Sequence, residues 1–316
     1  MAITYESDLL PASEQEMQPS IEIDFSEDLT PEQRKVASRS VKSMAAAGVE
    51  AREKQRAVEA GYQELSDALD APLRKVVEID QGAIKKFRHL LEHTPLRFDE
   101  PSILEADGDQ SVGIEDATMR LGDVRATQIF TPPYHFDWRW HNTGGSAPYT
   151  STTNRPLGQA SLQGRCGPWI PGAGGKFVEA HAGFGLFFRP TVSGLLSGDS
   201  LRVLGWFWVV GAFGIGSNAT VEGGTECTIL EDGKLKAFQS HKMWRKRVSV
   251  REYADQVQTN PVTDIPLRTQ FPMRAGHDYT FNVGFWIYAD NTAGVGTSGA
   301  ISGLGGRVPG MTVTRP

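Results

Sequence analysis

Ten positions, Ala37, Val41, Met44, Gly48, Ala51, Gln55, Val58, Tyr62, Leu65 and Leu69, follow one another in unbroken steps of four and three residues. That spacing marks one face of a helix and fits no strand, so it commits this stretch to one long helix with a narrow seam. Its start is equally clear. Thr30 is a good N-cap, Pro31 suits the first helical position, and Gln33 completes a T-x-x-Q capping box. Ala and Gly dominate the N-terminal part of the seam, which favours close helix approach or a marginal coil. Pro72 interrupts the run, and Asp70 can cap a second helix with a wider stripe through Leu73, Val76, Val77, Ile84, Phe87, Leu90 and Leu91, ended by Pro95. His89 and His93 lie one turn apart near that end. Complementing the helix dipole is the more economical role for them than binding a metal.

Beyond residue 108 the periodicity changes from helical to alternating, and all seven tryptophans lie there. Strands are expected over Ala126–Phe130, His135–His141, Phe177–Arg189, Leu201–Ala212, Thr225–Leu230, Leu235–Ser240, Arg247–Glu252, His277–Ala289 and Gly310–Thr314. Asp232-Gly233 is a type I′ hairpin signal between two of them. Many short strands with Gly and Pro turns indicate an antiparallel sandwich or jelly roll. Two glycine-rich segments, Asn142–Gly175 and Asp290–Gly306, are expected to be long loops, and neither carries a phosphate-cradling motif.

The expected fold is therefore α+β and segregated, a coiled-coil-like helical arm followed by an all-β domain. Its parts are an acidic, flexible tail (1–28), a two-helix arm (29–98), a connector (99–125) and a β-sandwich (126–316). The tail owns the net charge of −6: it holds eight acidic residues and no Lys or Arg, and removing those eight leaves 30 acidic against 32 basic ones. A remainder so evenly balanced lacks the basic field of a nucleic-acid binder, and no nucleic-acid partner is expected. There is no signal-peptide pattern, and the richest apolar run, Leu201–Ile215, is broken by glycines in a way that suits buried strands rather than a membrane span. A soluble protein is expected, cytoplasmic or exported by a non-classical route or an assembly. Cys166 and Cys227 match no redox or metal spacing, and reduced thiols are the simpler expectation.

The most chemical string is residues 134–141. In a strand, Tyr134, Phe136, Trp138 and Trp140 point one way, and His135, Asp137, Arg139 and His141 the other. One reading is a ligand face on which Trp138 and Trp140, with Trp169 from a glycine-rich segment, present flat platforms to a glycan or a protein surface. A second is a metal enzyme, with His135 and Asp137 as the H-x-D half of a 2-His-1-carboxylate set and His181, His241 or His277 as the third ligand. The simplest is an aromatic core face backed by a solvated ionisable row. Two further stretches are candidate interaction surfaces. Ile21, Ile23 and Phe25 alternate with acids and can add a strand to a sheet edge. Lys242, Trp244, Arg245, Lys246 and Arg247 form a basic cluster suited to an acidic partner or to guarding an edge strand. No cofactor is expected. The leading expectation is a non-enzymatic, self-associating binding or structural protein with a glycan or protein ligand. A docking subunit of a phage-like or capsid-like assembly is the first alternative, and the non-heme metal enzyme the second.

Overall fold

The structure is a computed structural model and describes residues 19–70, 82, 85, 86, 89, 128–144, 147–167, 176–263, 267–292 and 297–314. It is mostly antiparallel β-sheet with one N-terminal helix. In chain order the elements are β1 (Ser20–Phe25), α1 (Pro31–Asp70), β2 (Gln128–Phe130), β3 (Phe136–Gly144), β4 (Tyr149–Asn154), β5 (Gln159–Cys166), β6 (Lys176–Phe188), β7 (Gly194–Glu231), β8 (Lys234–Thr263), β9 (Leu267–Met273), β10 (Tyr279–Thr292) and β11 (Thr297–Thr314). Of the second expected helix, residues 82, 85, 86 and 89 are helical. The rest of it, with His93, lies outside the described residues.

Strands run in the order β1-β3-β6-β10-β7-β11-β5-β4, with β2 on β11 and both β8 and β9 on β7. The 38-residue β7 makes two layers out of this single path. Up to Phe213 it pairs with β11, and from Asn218 it pairs with β10. Between these stretches Gly214 and Gly216 adopt φ of 109° and 74°, left-handed values that only glycine takes without strain and that let the strand leave one layer for the other. The two layers pack face to face. Leu162, Leu204, Val210 and Leu304 from one share a core with Val178, Phe184, Val221, Val283 and Phe285 from the other. β8 follows β7 across the bend, and their tip is the expected hairpin, with Asp232 and Gly233 at φ of 52° and 81°.

α1 starts where the capping box places it: Gln33 N donates to Thr30 Oγ1 (3.3 Å) and Thr30 N to Gln33 Oε1 (2.8 Å). Its first half lies on the outer face of the β1-β3-β6-β10 layer, burying Val36, Ala37, Val41, Met44, Ala45 and Val49 against Phe136, Trp138, Trp140 and Phe187. The sheet thus takes up the N-terminal half of the heptad seam. Beyond it, Val58 and Tyr62 are 59% and 68% exposed.

The two glycine-rich segments differ from expectation. Most of the described part of 142–175 is strand β4, strand β5 and the end of β3, and 297–306 is the first half of β11. Gly158 and Gly167 do take positive φ of 63° and 77°, but other glycines here make room for neighbouring side chains. A Cβ on Gly306 would lie 2.7 Å from the Phe285 ring, and one on Gly164 would strike Val178. Alternating glycines across from aromatic side chains therefore read as loops only when each strand is considered without its neighbours. No helix among the described residues is long and apolar enough to cross a membrane. Cys166 and Cys227 are both buried and form no disulfide.

Candidate functional site

On the sheet face beneath α1, strand alternation sets polar residues where core would be expected. β6 directs Val178, Ala180 and Ala182 into the sandwich and Glu179 and His181 toward the helix. β7 does likewise, with Val221 inside and Glu222 and Glu226 outside. Register then aligns them: His181 sits between Trp140 of β3 and Trp286 of β10, and Glu179 is opposite Tyr288, itself opposite Glu222. Trp140 stacks on the His181 ring at 3.7 Å between centroids.

Arg52 descends from α1 into this row. Its Nε donates to Glu179 Oε1 and its Nη1 to Glu222 Oε2, both at 3.0 Å, and its guanidinium lies 3.9 Å above the Tyr288 ring. Gln55, the polar residue in the apolar seam, donates to Glu222 Oε1 at 3.1 Å. From β8, Lys242 (2.9 Å) and Arg245 (3.1 Å) also reach Glu222, and Arg245 pairs with Glu59 at 2.7 Å. His181 Nδ1 lies 2.8 Å from Glu226 Oε1 and Nε2 3.4 Å from Glu179 Oε1. Each cation thus meets a carboxylate, the arrangement that makes buried charge tolerable. Burial alone would raise the Glu179 and Glu222 carboxyls, but Arg52 holds both below the ordinary value. Burial would likewise lower His181, but Glu226 and Glu179 push it up to about 9.

A cavity of about 290 Å³ opens above this row. Trp140, His181 and Trp286 floor it, Met44, Gly48 and Ala51 of α1 roof it, and Phe238 and Lys242 of β8 form a side. Gly48 lets the helix approach the floor closely: a Cβ there would lie 2.7 Å from Trp140.

The His181 shift fixes the sign of one pH effect. A pKa raised on folding contributes stability that is complete below the unfolded value of 6.5 and lost as pH rises through about 9. Around His181 stand Glu179 on its own strand, Glu226 on β7, and Arg52 and Lys242 at the same cavity. Chemical unfolding from pH 6 to 9.5 should show the wild type losing about 3 kcal/mol relative to His181→Gln, whose profile lacks that limb. Parallel profiles would contradict a protonated His181.

The string at 134–141 divides only in part as expected: Phe136, Trp138 and Trp140 lie beneath α1, whereas Tyr134, ahead of the strand, packs into the sandwich core with its hydroxyl donating to Val308 O at 2.8 Å, and Asp137 of the opposite row is buried rather than solvated. Trp138 is 1% exposed and Trp140 2% exposed, so neither offers a flat surface platform, and of the two only Trp140 lines the cavity. His135 Nδ1 accepts the Phe187 N–H at 2.8 Å, and Asp137 accepts the Thr153 hydroxyl at 3.1 Å, its carboxyl pushed up to about 6 by burial. No group of three or more His, Cys, Asp or Glu among the described residues is placed to hold a metal ion. Arg139 pairs with Glu22 and Asp24 of β1, and the His141 ring lies 3.8 Å from that of Tyr149. Trp169 lies outside the described residues.

Ile21, Ile23 and Phe25 do form an added edge strand, on β3 of the same chain, and pack on the α1 core. The basic cluster splits: Lys242 and Arg245 serve Glu222, Trp244 is buried over Gly223 and stacked on Trp206, and Lys246 and Arg247 are half-buried on β8. Sequence reasoning missed Arg52, Glu179, Glu222, Glu226 and Trp286, and named His181 only as a possible third metal ligand. For Glu179, His181, Glu222 and Glu226 a signal was present, as ionisable residues on one face of otherwise apolar strands.

No family model matches the chain, and no curated protein matches it. Among solved structures it is similar, weakly, to an isomalto-dextranase of Arthrobacter globiformis T6 (10% identity over 59% of this chain and 23% of that one, TM-score 0.15). It is similar to a CocE/NonD family hydrolase from Staphylococcus aureus at 8% identity over 54% and 37%, with TM-score 0.17. The Gx strain of infectious bursal disease virus gives 10% identity over 61% and 42%, with TM-score 0.13. The chain spans less than half of each of these, and likeness at such TM-scores carries no argument about fold or function.

Proposed function

We propose that this is a non-enzymatic, self-associating binding or structural protein that assembles through the part of α1 its own sheet does not cover. The observation behind this reading is the seam itself. Ala37, Val41 and Met44 are buried on the sheet, whereas Val58 and Tyr62, in the same register, are exposed. In the sequence the spacing continues through Leu65 and Leu69. A second copy is the occupant that heptad spacing suits, because two such helices interlock knob into hole along matching seams. At about 1.5 Å per residue, α1 is long enough to serve both its own sheet and a neighbour.

A role as subunit of a larger assembly is favoured by a separate feature. Among the described residues β8 pairs with β7 alone, and it carries exposed Phe238, Tyr253 and Val257. A long edge strand with apolar side chains is a template for further contacts. Light scattering on the intact chain should give a discrete oligomer, or an open-ended series if the β8 edge also associates. Val58→Asp with Tyr62→Asp should weaken association about 30-fold or more, with thermal unfolding unchanged because both side chains are exposed. A wild type that stays monomeric at high concentration overturns the proposal.

A further inference from the structure

We infer that the cavity between α1 and the sheet binds one neutral sugar ring, with Glu179 and Trp140 as its polar anchors and Trp286 and Phe238 as its apolar contacts. This deepens the reading of the chain as a binding protein and does not depend on its self-association.

Two atoms carry the inference. Glu179 gives Oε1 to Arg52 and His181, but Oε2 has no hydrogen-bond partner although the side chain is 3% exposed. Trp140 Nε1, on a residue 2% exposed, likewise has none. Both residues line the cavity. A buried carboxylate oxygen left without a donor is costly, and so is a buried N–H without an acceptor. A ligand that offers a donor to Glu179 and an acceptor to Trp140 at close range would relieve both costs. Neighbouring hydroxyls on a ring do both.

Charge then selects among ligands. Arg52, His181 and Lys242 face Glu179, Glu222 and Glu226 across the same space, so the lining is already neutralised. An anion would meet Glu179 and Glu226 with their cations already engaged. A cation would meet Arg52 and His181. A purely apolar ligand would leave the two polar atoms unpaired. A neutral polyhydroxylated ring meets none of these penalties, and its C–H face suits the indole and phenyl carbons of Trp286 and Phe238. At about 290 Å³ the cavity is at the small end of small-molecule sites, about 300–1,000 Å³. That suits a single ring rather than an enclosed chain of them.

The test uses the intact protein with glucose, galactose, mannose and N-acetylglucosamine as neutral probes. Glucuronic acid serves as the anionic probe and choline as the cationic one. Binding is read by saturation-transfer NMR and by fluorescence of the tryptophans. At least one neutral sugar should bind saturably and more tightly than either charged probe. Glu179→Gln should weaken it about tenfold. Because that change also touches the Arg52 contact, a second variant, Ala51→Phe, fills the cavity from an exposed helix position. It should abolish binding while leaving thermal unfolding and the light-scattering mass unchanged. No saturable neutral-sugar binding, tighter binding of a charged probe, or undiminished binding in a folded Ala51→Phe or Glu179→Gln protein would overturn the inference. The oligomer measurement stands apart from each of these outcomes.

Discussion

Arg52→Met should lower stability by roughly 3–5 kcal/mol, because it breaks a buried charge network by removing one partner and leaving the others in place. Glu222 would keep Lys242 and Arg245. Glu179 would keep only His181, so most of the cost falls on it. Met keeps an unbranched apolar side chain in place of the arginine stem but removes the guanidinium that lies over the Tyr288 and Trp286 rings, so the loss includes those contacts as well as the charge. The measurement is chemical unfolding near pH 6, where His181 is protonated. Adding Glu179→Gln to Arg52→Met should recover part of the loss, since the stranded charge is then gone. A single-variant loss below about 1 kcal/mol would mean that water reaches Glu179 freely and that Arg52 does not fasten α1 to the sheet.

Trp138→Ala should cost about 3–5 kcal/mol, the range for emptying a large aromatic site in a core. The ring lies beneath α1 over a glycine from each of two strands, Gly183 of β6 and Gly284 of β10. A Cβ on Gly183 would sit 2.6 Å from it and one on Gly284 2.5 Å. Gly284→Ala alone should be destabilising by about 1–3 kcal/mol through overpacking. In the Trp138→Ala background the same change has room, so the two should be non-additive by about 0.5–3 kcal/mol. Gly183→Ala is the control that should stay costly in both backgrounds, because its Cβ would also overlap the Val283 carbonyl. Simple additivity for Gly284→Ala would show that the ring does not use the glycine as its seat.

These two sites also show where the sequence was readable and where it was not. The capping box, the hairpin at Asp232-Gly233 and the two-faced strand from Phe136 depend on neighbours within a few residues, and those signals appear in the structure as the local chemistry requires. The half-and-half fate of the seam was not readable, since nothing in the spacing says whether a sheet or a second helix covers it. The seating role of the strand glycines was hidden for a related reason. Gly183 and Gly284 are unremarkable in their own strands, and only register sets them under Trp138. The candidate site is the extreme case: residues 52, 179, 181, 222, 226 and 286 come together through four elements, so no motif spacing could announce them. What a single strand did offer was an ionisable residue at every second place in an apolar run. That pattern deserves the same weight as a motif when both faces of a sheet are to be covered.

The bend in β7 has a consequence for how this chain can change over time. β7 and β8 remain partners through both layers, so a residue deleted between Trp206 and Phe213 would turn Leu204, Val210 and Ala212 out of the core on one side of the change or the other. Length variation has somewhere to go only where the pairing already breaks step, at Phe213–Asn218 and at the smaller shifts near Trp206, Gly224 and Leu230. Descendants of this sequence should therefore gain and lose residues at those seams and nowhere else along the hairpin. Neither layer can be exchanged, duplicated or shed without the other, and the sandwich is inherited whole.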